Sequence, residues 1–192
     1  MAFSSLEIRD IIISVAALAL VFSYPEVLSQ PVFFLVSLLT VGIAFIGHEL
    51  SHKFVARGRG FWAEYRMWPQ GILLAVIFAV ATGGSFVFAA PGAVYFRARS
   101  FFGREGRGDV GLVGIAGIAF NLLLFFLLAG LYLLTGFQIL RFAAQINAWL
   151  ALFNLLPIPP LDGSKVLAWD WRIWLAAFAL AAAAFALTAF VL

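Results

Sequence analysis

Hydrophobic residues run along this chain in long blocks instead of alternating over short distances. Blocks at roughly 10–23, 32–56, 110–134, 142–161 and 172–192 carry few charges. A helix crossing a bilayer needs about 20 apolar residues at about 1.5 Å rise each, so these blocks predict spanning helices. The first is short and is expected to extend past its polar flanks. Residues 24–31 and 135–141 read as brief connectors, the former punctuated by Pro25 and Pro31. The stretch 71–96 fits no span. Gly71 to Ala81 is apolar but too short to cross alone, and Gly83-Gly84 breaks it. Phe86 to Phe96, aromatic and β-branched around Pro91-Gly92, reads as extended chain, and so do residues 61–68. At membrane depth such backbone must pair with itself or line a wet cavity, which predicts a re-entrant loop with a small sheet. The expected fold is an α-helical polytopic membrane protein. It has about five to six transmembrane helices and a small membrane-associated β/re-entrant region at roughly 57–100.

Composition agrees with this pattern. The chain is 65% hydrophobic and 11% charged, too apolar for a soluble domain of 192 residues, so the excess faces lipid. Six Trp cluster where apolar runs meet polar ones, as interfacial residues do. The N-terminal run Ile11 to Phe22 follows Glu7, Arg9 and Asp10, with no small-x-small cleavage site after it, and reads as a retained anchor helix. A net charge of +3 spread over short loops argues for orientation in a membrane and against nucleic acid as a partner.

Charge then sets the topology. With a cytoplasmic N-terminus and a re-entrant 71–96, Arg9, Lys53, Arg57, Arg59, Arg66, Arg97, Arg99, Arg104, Arg107, Lys165 and Arg172 all fall inside. Arg141 alone falls outside. A single crossing by 71–96 would move Arg97 through Arg107 outside and largely erase the bias.

The chemistry centres on His48-Glu49-Leu50-Ser51-His52, an H-E-x-x-H pattern within an apolar run. Positions i and i+4 share a helix face, so both imidazoles can bind one Zn²⁺. Glu49 then lies beside the metal as a general base. Two histidines capping a helix near the interface would be the plainer reading. These are, however, the only two histidines in the chain, and ionisable groups within a span usually mark function. The sixteen residues from Val32 to Gly47 cover about 24 Å, which places His48 about 6 Å inside the hydrocarbon boundary.

Catalytic zinc usually takes three protein ligands. With no cysteine and no further histidine, the third must be a carboxylate: Glu7, Asp10, Glu26, Glu64, Glu105, Asp109, Asp162 or Asp170. Asp162 stands out, because Pro157, Pro159 and Pro160 unwind the end of a span just before it. The charge-derived topology brings that end level with His48. As an alternative, Asp162 is a turn residue beside Gly163.

H-E-L-S-H on an early span, followed by a late N-x-x-P…L-D-G from Asn154 to Gly163, resembles the site-2 protease family of intramembrane zinc metalloproteases. Gly111, Gly114 and Gly117 before Asn121 are similar to that family's G-x-x-x-N span. The resemblance covers about residues 32–168. It implies that His48, His52 and Asp162 bind one Zn²⁺, that Glu49 is the catalytic base, and that the substrate is a transmembrane segment of another protein, cleaved in regulated intramembrane proteolysis. It also implies a multi-pass protein of the prokaryotic plasma membrane, with its site toward the cytoplasm. The chain is then one integral membrane domain, 1–192, with a catalytic core at 32–168 and peripheral helices at 1–31 and 169–192.

Asn154, close to Asp162, is a candidate donor to the developing oxyanion, and Asn121 a further candidate for substrate or oxyanion. Both could instead be interhelical hydrogen-bond glue, whereas Gln145 and Asn147 are read as packing. A substrate helix must unwind before cleavage. Adding it as a strand to an exposed sheet edge, from 61–68 or 85–96, would offset that cost. Two rivals are weighed against the protease. A non-proteolytic zinc-binding regulator of transmembrane partners would have no need of Glu49. A transporter would be expected to carry more intramembrane charge and internal repeats.

Overall fold

The computed structural model describes residues 3–98 and 106–190. Among the described residues, seven α-helices and one two-stranded sheet follow in the order α1 (Ser5–Phe22), α2 (Val32–Gly58), β1 (Phe61–Met67), α3 (Pro69–Ala81), β2 (Gly92–Ala98), α4 (Arg107–Thr135), α5 (Gln138–Asn154), α6 (Asp162–Trp169) and α7 (Trp171–Phe190). Arg99, Arg104 and Glu105, counted above among the inside charges or candidate ligands, lie outside the described residues.

α2, α4 and α7 are each long and apolar enough to cross a membrane. Their outward side chains, such as Leu35, Leu39, Leu123, Leu127, Leu175 and Leu180, are exposed leucines. On a soluble protein that would be an aggregation surface; here it is a lipid face. The ends of the elements depart from expectation. α4 stops at Gly136, whose left-handed φ of 70° closes the helix, and α5 begins at Gln138, so the connector shrinks to two residues. α5 ends at Asn154 and not near 161, because a proline lacks the N–H and crowds the preceding turn.

β1 and β2 pair antiparallel from Phe61↔Ala98 to Met67↔Gly92. The chain therefore leaves the sheet at Met67 and returns beside it at Gly92. α3 carries it out about 20 Å, Gly83 and Gly84 turn it at φ 60° and 82°, and residues 85–91 bring it back without regular structure. The outward tip packs on the far end of α1, where a Cβ on Gly84 would lie 2.2 Å from the Tyr24 carbonyl oxygen. The excursion thus leaves and rejoins the same end of the sheet. The extended segment expected at 86–96 is a strand only from Gly92; 61–67 matches the expected 61–68 closely.

α1 differs from the peripheral helix expected of it. Glu7 and Asp10, read as the polar flank of an anchor, are buried against β1 and α2, as is Ser14 of the hydrophobic run. The carboxylates were mistaken for flanking residues because their partners, backbone amides of a distant strand, carry no sequence signature.

Replacing Gly84 by Ala forces both a strained φ and a backbone clash, and should destabilise by about 1–3 kcal/mol. Ala at Gly130, where a Cβ meets open space, serves as the control. Thermal unfolding in detergent should show a lower midpoint for Gly84→Ala only.

Candidate metal centre

His48 and His52 project from the same face of α2 one turn apart, with ring centroids 4.6 Å apart and planes at 82°. Their Nε2 atoms approach to 2.9 Å. Asp162, the first residue of α6, places Oδ2 3.2 Å from His48 Nε2 and 2.8 Å from His52 Nε2. One donor atom from each residue lies within 4.8 Å of the others, and all three side chains are buried.

The surrounding hydrogen bonds decide what these atoms present. His52 Nδ1 lies 2.6 Å from the Val113 carbonyl, which can only accept, so that nitrogen carries the proton. His48 Nδ1 lies 2.6 Å from Asn121 Oδ1. The Asn121 amide nitrogen donates to Ala44 O at 3.2 Å and to Asn147 Oδ1 at 2.9 Å, which leaves its oxygen to accept from His48. With Nδ1 of each ring turned to an acceptor, both Nε2 atoms face Asp162 Oδ2. Lys165 Nζ holds the other oxygen of Asp162 at 2.7 Å. Burial works against the Lys165 ammonium, but the Asp162 carboxylate outweighs it and raises its pKa. Two imidazole nitrogens and one carboxylate oxygen converging at this spacing could hold a cation, and a two-nitrogen, one-oxygen set fits a catalytic zinc site with one position open.

Close helix approach makes this possible. A Cβ on Gly117 of α4 would sit 2.5 Å from His52 Nε2 and 2.7 Å from His48, and a Cβ on Gly47 of α2 would collide with the Phe120 ring at 2.1 Å. Each helix thus removes a side chain where the other needs room.

Glu49 points into a cavity of about 20 Å³ that it shares with His48, His52, Asp162, Asn154 and Gly92. That volume holds about one water. Glu49 Oε2 is buried and has no hydrogen-bond partner among the described residues. Asn154 lines the same cavity, with its amide nitrogen donating to Leu150 O at 3.0 Å and no other side-chain hydrogen bond among the described residues.

Of the two roles weighed for Asn121, its hydrogen bonds match interhelical glue. The residue is fully buried, with its oxygen and amide nitrogen taken up by His48, Ala44 and Asn147, and it has no group left for a substrate oxyanion. Sequence reasoning missed three supporting groups. Asn147, assigned to packing, fixes Asn121. Lys165 fixes Asp162, and its i+3 spacing on one helix face was a usable signal. The Val113 carbonyl has no side-chain signature at all.

A profile of Peptidase family M50 matches residues 135–172, the segment carrying Asn154, the prolines and Asp162. The chain is 42% identical over 178 residues to a protein of Methanocaldococcus jannaschii, covering 90% of this chain and 88% of the relative. It is 34% identical over 148 residues to a protein of Bacillus subtilis, covering 67% of this chain and 66% of the relative. Both relatives carry the provisional name zinc metalloprotease. No solved structure matches the chain significantly.

Orienting partners of metal-facing residues typically contribute about 10–100-fold in affinity. Asn121→Ala should weaken zinc binding by that order, read by competition with a chromophoric chelator, and Lys165→Met should do the same through Asp162. If Asn121 acted on the oxyanion instead, its alanine variant would keep wild-type zinc affinity and lose only turnover.

Proposed function

Because this chain belongs to peptidase family M50, the site-2 proteases, and is a membrane-embedded zinc metalloprotease, we propose that it hydrolyses peptide bonds in or beside transmembrane segments of other membrane proteins, as a step of regulated intramembrane proteolysis. The observation that carries this reading is the convergence of His48, His52 and Asp162 around a one-water cavity into which an unpartnered Glu49 oxygen points. His48, His52 and Asp162 hold the zinc. When bound, zinc supplies a Lewis acid that makes water acidic near neutral pH and withdraws electrons from a carbonyl. Glu49 takes the proton of the attacking water on its free oxygen and returns it to the leaving amine. Asn154 offers its remaining N–H to the developing oxyanion.

In this reading α1, α2, α4, α5 and α7 make five crossings and 68–91 re-enters. Lys53, Arg57, Arg59, Arg107, Lys165 and Arg172 lie toward the site end and Arg141 at the opposite end, a bias that favours a site facing the cytoplasm of a prokaryotic cell.

The substrate is held as an added strand on β2. Ladder bonds alternate along an antiparallel pair. Tyr65 and Met67 direct their N–H groups away from β2, toward side chains of α1. The intervening Arg66–Ala93 and Glu64–Tyr95 pairs therefore exchange the ladder bonds, and Gly92 and Val94 turn their backbone outward beside the cavity.

Two experiments test this. Glu49→Gln should retain zinc by elemental analysis and lose cleavage of a reporter membrane substrate by at least about 10³-fold. Equal cleavage by both proteins would sink the assignment. Val94→Pro removes one outward N–H, and should impair cleavage with zinc content unchanged; full activity would exclude strand addition at β2.

A further inference from the structure

One residue beyond the motif, Lys53 enters a buried ion pair with Glu7 of α1. Its ammonium lies 2.6 and 2.5 Å from the two carboxylate oxygens, and the residues are 2% and 1% exposed. Such a pair is poor evidence for stability, because desolvating two ions offsets most of their attraction. Glu7, however, has a second partner. Its Oε1 accepts the Tyr65 N–H at 3.0 Å, and one turn on, Asp10 Oδ2 accepts the Met67 N–H at 3.3 Å. Alternate residues of a strand repeat at about 6.8 Å, and side chains three apart on a helix lie about 5–6 Å apart. Two carboxylates at this spacing can therefore occupy the acceptor positions of a missing neighbouring strand. Ser4, the N-cap of α1, adds a hydrogen bond to Glu64 on the same strand.

We propose that Glu7 is a positioning residue for the reaction, with Asp10 as its companion. It closes the outer edge of β1 and, through Lys53, locks the sheet to the helix that carries His48, Glu49 and His52. A transmembrane substrate can then pair only on β2, at a set distance from the metal centre. Glu7 touches neither metal nor substrate; it acts through Tyr65, β1 and β2. This deepens the strand-addition reading above and rests on it.

Removing Glu7 alone would strand a buried Lys53, so the test compares two double variants that leave no unpaired charge. Glu7→Gln with Lys53→Met keeps an acceptor oxygen for the Tyr65 amide; Glu7→Leu with Lys53→Met removes it at similar volume. Relative to the first, the second should exchange its Tyr65 amide hydrogen about tenfold faster, and should raise KM for the reporter substrate about five- to tenfold. Zinc content and kcat should match between the two. Equal Tyr65 exchange, or equal KM, overturns the proposal. Loss of zinc together with faster exchange throughout the chain in the leucine variant would also overturn it, by showing a general structural role. A wild type that binds zinc and cleaves no membrane substrate would instead reject the proposed function, and the exchange comparison would still decide whether Glu7 clamps β1.

Discussion

Two imidazole nitrogens and a carboxylate oxygen are brought face to face inside an apolar bundle, and the rest of this structure serves to hold them there. His48 Nε2, His52 Nε2 and Asp162 Oδ2 would separate if any of their side chains could rotate. Each is fixed from behind by a hydrogen-bonding partner: Asn121 for His48, the Val113 carbonyl for His52, Lys165 for Asp162. Those partners come from α4 and α6, so the centre forms only when α2, α4 and α6 meet closely. Gly117 and Gly47 set that approach. The glycines, the asparagine chain and the prolines before Asp162 are therefore parts of one device, although they lie far apart in the sequence.

A second constraint comes from backbone accounting in lipid. An open sheet cannot face hydrocarbon, yet the proposed cleavage of transmembrane segments gives reason to keep one strand edge available. The chain treats its two edges differently. β1 is shielded by side chains of α1, which carry acceptors and no competing backbone. β2 faces the cavity at Gly92 and Val94. The return segment 85–91 is steadied by Trp149, whose indole donates to the Val87 carbonyl, and by Phe86 and Phe88 against Phe153.

Most of the helical frame was legible because hydrophobic block length reports directly on the bilayer. The motif was legible because two histidines at i and i+4 have a geometric meaning on any helix. Asp162 was reached through proline chemistry and topology, and the structure brings it to the histidines. What stayed illegible has a common cause. The Val113 carbonyl and the Tyr65 and Met67 amides act through backbone, which every residue carries. Asn147 and Asn121 were ambiguous because buried amides serve packing and function with the same residue type. The role of α1 was hidden because Glu7 and Asp10 resemble the polar flank of an anchor until β1 is placed beside them.

The position of Lys53 separates two accounts of the buried pair. Had Glu7 been placed only to neutralise a lysine, a hydrophobic pair would do as well or better. Neutralisation does not explain why its carboxylate also bonds the Tyr65 amide, nor why Asp10 repeats the contact one turn later at Met67. Two spaced acceptors on one helix face match the repeat of a strand edge, whereas a lone counter-ion needs no repeat. The lysine is then best understood as the counter-charge of Glu7 in an apolar setting, leaving the carboxylate a charge-assisted acceptor for the strand. Its place immediately after His52 means that the same interaction bears on the helix presenting the metal-facing nitrogens. The sheet edge and the metal centre are in this way referenced to a single buried carboxylate.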